Sequence, residues 1–209
     1  MLMMMQPAAA LVMRLAQAAA DHFSPLFSSG VGIKTIQDIP LMDLLCRQLA
    51  IAPEYVAQRI QTIFLNHRAV DRTEQVIVPA DAVLALSAAM PGLVGATFRK
   101  GGVLSAFRED ISHHADAPSK GGMQETVITL KLFNLVAEEL GPHLLSQGVW
   151  VDGGALSPIV SRIAAAPSLP IETCQWNGRE LSPDRLSDLE FPGGWIALSI
   201  VWVPPLPHA

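Results

Sequence analysis

Apolar residues in this chain come in short runs whose period changes several times. Residues 7–22 are rich in alanine and leucine and carry Pro7 in what would be a first turn, which predicts a helix. The stretch 23–34 is turn-rich. A second helix is expected over 40–49, with Asp38 near its start, and a short third over 53–59, opened by Pro53. The pattern then becomes β-branched and aromatic. Residues 60–65 (IQTIFL) read as a strand, Asn66-His67 as a turn, and 75–78 and 82–86 as further strands. A turn and strand follow over 90–102, then a helix over 104–112 that Ser105 can cap.

After a loop at 115–122, residues 123–140 form the longest helical candidate. Gln124, Glu125, Lys131, Glu138 and Glu139 fall within one broad arc at 100° per residue, and Gly141-Pro142 reads as the stop. Thr126-Val127-Ile128-Thr129 argues locally for strand instead. Residues 149–151 read as a strand, and Ser157-Pro158 opens a helix to about Ala165. Strand 171–176, the hairpin turn Asn177-Gly178 and the apolar strand 195–203 complete the pattern, and the proline-rich tail cannot continue a sheet. The fold class is therefore α+β, with mixed sheets of hairpins and packed helices. Residues 1–209 are expected to form one compact domain with sub-units 1–118 and 119–209.

An internal echo accompanies the pattern. Residues 60–68 (IQTIFLNHR) resemble 171–179 (IETCQWNGR), and each stretch is followed by a proline (Pro79, Pro192) and by Ala-Leu-Ser (85–87, 197–199). Residues 98–105 (FRKGGVLS) similarly echo 150–157 (WVDGGALS). A repeated hairpin-and-helix unit accounts for both pairs.

Residues 40–95 also resemble the later part of a β-grasp domain of the ubiquitin-like sulfur-carrier type. The words that carry this are Leu65-Asn66-His67-Arg68-Ala69-Val70, similar to an LNGxxV hairpin, and Ala80-Asp81-Ala82-Val83-Leu84-Ala85-Leu86, similar to a GDxVAL strand. The resemblance implies a β-grasp-like fold. It does not carry over the carrier chemistry, because those carriers end in a free Gly-Gly, whereas Gly101-Gly102 is internal and the chain ends Pro-His-Ala.

Composition narrows function. Half of the 209 residues are hydrophobic and 16% are charged, against about 25% charged in an ordinary soluble domain. So apolar a chain implies a large core and apolar surface left for a partner, most simply a second copy in a two-fold dimer. The net charge of −5 carries no basic stripe, which argues against a nucleic-acid partner. Pro7 and Arg14 interrupt the apolar N-terminus, arguing against a signal peptide or membrane span. Cys46 and Cys174 are far apart, as befits free thiols in the reducing cytoplasm.

Candidate chemistry concentrates in 99–125. Glu109 with His113 and Asp110 with His114 are i,i+4 pairs on one helix surface. With Asp116, the set Glu109, His113 and His114 could ligate a divalent metal, although no cofactor is required. Arg99, Lys100, Lys120, Gly121 and Gly122 offer backbone N–H groups and positive charge to a small anionic ligand. No catalytic residue is assigned. SerSerGlyValGlyIleLysThr (28–35) falls short of a phosphate-binding loop, because Ile33 separates Gly32 from Lys34. Trp150, Trp176, Trp195 and Trp202 crowd the last 60 positions as core or contact residues, with Trp202 expected to be exposed. The favoured function is a non-catalytic binding or assembly protein acting as a homodimer. The alternative is a small-molecule or metal-dependent enzyme with its site in 99–125.

Overall fold

The computed structural model describes residues 6–88, 124–169 and 171–204. Helices and mixed sheets give the expected α+β class. The chain forms two compact units, Met1–Gly32 with Glu138–Ala209, and Ile33–Ala137. The sub-unit boundary expected at 118–119 lies outside the described residues.

The first unit begins with a correction. Residues 7–22 are not one helix. Ala9–Ala16 is strand β1, followed by a 3-10 turn at Gln17–Phe23 and the short helix α1, Ser24–Ser29. Ala9, Leu11, Met13 and Leu15 are buried while Val12 and Arg14 are exposed, a period of two. Alanine-rich helix propensity amounts to only tenths of a kcal/mol per residue. A strand paired on both sides gains more from its ladders and its buried row.

The second unit follows. β2 (Val31–Ile36) and β3 (Ile39–Pro40) flank a turn with Asp38 at φ 57°. The helix expected at 40–49 appears as a helical stretch whose Asp43–Gln48 part is π-wound, and α2 is Pro53–Gln58. β4 (Thr62–Leu65) and β5 (Arg68–Ala69) form the expected hairpin, with Asn66 and His67 at φ 49° and 68°, the conformation of a two-residue primed turn. β6 is only Ile77–Val78, preceded by a 3-10 turn at Thr73–Gln75, and β7 is Val83–Ser87.

Residues 123–140 bring the second correction. Glu125–Phe133 is strand β8, with Ile128, Leu130 and Leu132 fully buried on one face. The β-branched run wins because β8 pairs in parallel with β7 from Val83↔Thr129 to Ser87↔Phe133. The helix comes later and passes through the expected stop: α3 is Leu135–Gln147, with Pro142 inside it. A Cβ on Gly141 would stand 2.9 Å from a ring carbon of Phe27, so glycine here allows α1 and α3 to approach closely.

The first unit resumes with β9 (Val149–Asp152) and α4 (Gly153–Ala164). This helix starts well before the expected Ser157-Pro158, because the Asp152 carboxylate accepts from the Ala155 N–H and caps it. β10 (Ile171–Trp176), β11 (Arg179–Leu181) and β12 (Trp195–Val203) complete the unit, with Asn177-Gly178 as the hairpin turn.

Both units use one strand plan. The second runs β5-β4-β7-β8-β2 and the first β11-β10-β1-β12-β9. In each, a hairpin lies antiparallel to a central strand, which lies parallel to the next. The turn asparagines make the same clasp. Asn66 donates its N–H to Val83 O and accepts the Val83 N–H on Oδ1; Asn177 does the same with Ala10. The buried row Ile63, Leu86, Leu132 therefore matches Cys174, Met13, Ile200. The echo between 60–68 and 171–179 falls on this match residue for residue. The Ala-Leu-Ser echo does not: 85–87 lie in β7 beside the hairpin, whereas 197–199 lie in β12, one strand further away. In the other echo, 98–105 lie outside the described residues.

Candidate interaction surface

The residues singled out for chemistry, Arg99, Lys100, Glu109, His113, His114, Asp116, Lys120, Gly121 and Gly122, all lie outside the described residues. Among the described residues, no group of three or more His, Cys, Asp or Glu could hold a metal ion. Lys34 of the 28–35 stretch pairs with Glu125 at 2.9 Å and sits within β2, a strand where a phosphate-binding loop would lead into a helix.

Both cysteines are free. Burial pushes the Cys174 thiol up to about 11, and the Cys46 thiol is also raised, by burial first and then by the negative charges of Glu54 and Asp43. Since the thiolate is the reactive species, neither is activated.

What the described residues do assemble is an outward sheet face in the first unit. On the inner face of this sheet the helical layer covers Leu11, Met13, Ile196, Leu198 and Ile200; the start of α4, for example, lies against Ile196. Registers set the outer face. Ala10 lies beside Ala197, which lies beside Trp150 in turn; Val12 lies beside Ser199 and Gln175, and Arg14 beside Val201 and Thr173. A solvated face of such a sheet ordinarily alternates to polar residues. Here β1 presents Ala10, Val12, Arg14 and Ala16, and β12 presents Trp195, Ala197, Ser199, Val201 and Val203. Val12 and Val201 are exposed at 37% and 46%.

The cation on this face is neutralised locally. β1 and β10 slip register between Arg14 and Leu15, a bulge that brings Glu172 to Arg14, with Nε and Oε2 2.6 Å apart. The middle of the face, on β1 and β12, is therefore largely apolar, while Glu172 and Glu180 outnumber Arg14 in the rows beside it.

Trp202 points the other way. Its Nε1 donates to Pro142 O at 2.8 Å and its ring meets Phe23 edge to face at 6.2 Å, so the expectation of an exposed contact passes to its neighbour Val201. Trp176 packs on Phe191 in the same geometry. Sequence reasoning missed Val12 and Arg14 because their segment was read as helix. The alternation in Ala-Leu-Val-Met-Arg-Leu was the available signal.

No family model, curated protein or solved structure matches the chain. Among the described residues, no helix is long and apolar enough to cross a membrane.

Proposed function

We propose that this chain is a non-catalytic binding and assembly protein of the cytoplasm, acting as a homodimer and built from two β-grasp-like units. The observation that carries the reading is the outer face of β1 and β12. The two ends of the chain, each apolar in sequence, lie side by side in eight-residue parallel register and expose Val12 and Val201 together. Aligned sheets with apolar faces stack about 10 Å apart, and a two-fold axis brings the same face of two copies together. The β-grasp reading is supported by the shared strand plan and by the position of residues 40–88, which supply helix, Asn-turned hairpin and central strand in the order the resemblance implies.

Size-exclusion chromatography with light scattering tests this. The native chain is expected to elute at twice its 22.4 kDa. Val12→Lys with Val201→Lys is expected to weaken the dimer, raising the concentration at which it forms, with unchanged far-UV circular dichroism because both sites are exposed. A native chain that is monomeric at high concentration would sink the reading.

A further inference from the structure

The segment 138–209 builds most of the first unit but leaves a gap one strand wide. It supplies β9, β10, β11 and β12, and β10 and β12 are not neighbours. In the second unit the matching place is filled by β7, which follows its own hairpin in the chain. In the first unit it is filled by β1, joined to 138–209 only through the whole of the second unit.

β1 occupies that slot completely. It pairs with β12 from Ala9↔Ile196 to Ala16↔Val203 and with β10 on its other edge, and it buries Leu11, Met13 and Leu15. The Asn177 clasp on Ala10 and the Ala8 N–H donated to Trp195 O hold its start. These contacts all reside in residues 8–16 and in the slot, so another copy's β1 would make every one of them. The exit from the slot is an uncapped junction. Ala16 is extended (φ −60°, ψ 142°), no side chain caps the turn after it, and that turn is 3-10, the weaker helical form. Exchange of an identical element changes little beyond such a hinge.

We infer that β1 is an exchangeable strand: in the homodimer each copy's residues 9–16 fill the slot between β10 and β12 of the other copy, with the hinge at Ala16–Gln17. This rests on the homodimer reading and specifies how the dimer is locked. It also suits the outer face, since Val12 and Val201 lie on the exchanged strand and on its neighbour.

Met13 and Cys174 are register partners, at the separation across which a disulfide can form. Met13→Cys in a Cys46→Ser background, refolded in a glutathione redox pair and run on non-reducing gels, reads which chain supplies the strand. A covalent dimer, lost when Cys174→Ser is added, is the expected result. A bond closed within one chain, in a protein that light scattering shows to be dimeric, overturns exchange and leaves the homodimer standing. The same bond in a monomer overturns both.

Should the variant fail to fold, the native chain gives a second reading. An exchanged dimer, isolated and diluted in the cold, stays dimeric for hours, because release of β1 breaks ladders on both edges. Prompt return to monomer overturns exchange.

Discussion

The two units place the same hairpin against the same kind of central strand, yet they differ in where that strand comes from and in what they show outside. β7 arrives from the adjacent chain, whereas β1 arrives from the far end of it. The outer positions also diverge. Val12 and Arg14 are exposed, while their matches Ala85 and Ser87 are half-buried and buried. The plan fixes the buried row and the turn; the outer face is free to vary, so the difference between units lies where we place the dimer contact.

Several substitutions sharpen or break this match. The largest effect is expected at the buried row. Leu11→Ala and Leu84→Ala each remove a fully buried side chain from the central strand and are expected to cost about 2–5 kcal/mol in urea unfolding. A loss at one position and near-neutrality at the other would break the equivalence. Next comes the clasp. Asn66→Gly and Asn177→Gly keep the turn conformation but remove the acceptor for the Val83 and Ala10 N–H groups, with an expected loss of about 1 kcal/mol each.

The turns themselves differ by one residue. Gly178 holds φ 74° without strain, while His67 holds 68° with a side chain. His67→Gly is expected to raise the unfolding midpoint by the equivalent of about 0.5–1 kcal/mol. The smallest effect separates Thr62 from its match Thr173. The Thr62 hydroxyl is buried without a hydrogen-bond partner, and Thr173 is exposed. Thr62→Val is therefore expected to be neutral or stabilising by up to about 1 kcal/mol, and Thr173→Val to shift stability by less than about 0.5 kcal/mol, both in the same denaturation assay.

The hairpins were legible because their signals are local: Asn-His and Asn-Gly between β-branched runs need no tertiary context. Two strands were not, and for one reason. β1 lies between β10 and β12, and β8 between β7 and β2, so their conformation is decided by partners distant in sequence, against helix-favouring alanines in one case and a helical charge arc in the other. The start of α4 was misplaced because Asp152, an acid at the end of a strand, caps it before the Ser-Pro pair is reached. The interaction face was hidden by the same error as β1, since a helix would have sent Val12 and Arg14 to different sides.

The position of β1 also bears on how the protein is made. Its residues leave the ribosome long before those of β12, the strand that pairs along its whole length. The second unit lies wholly between them and can close while synthesis is still under way. β1 must then wait, sticky and unpaired, until β12 has been made. Completing the first unit is consequently a late, long-range event, the kind of loop closure that slows maturation and invites chaperone attention.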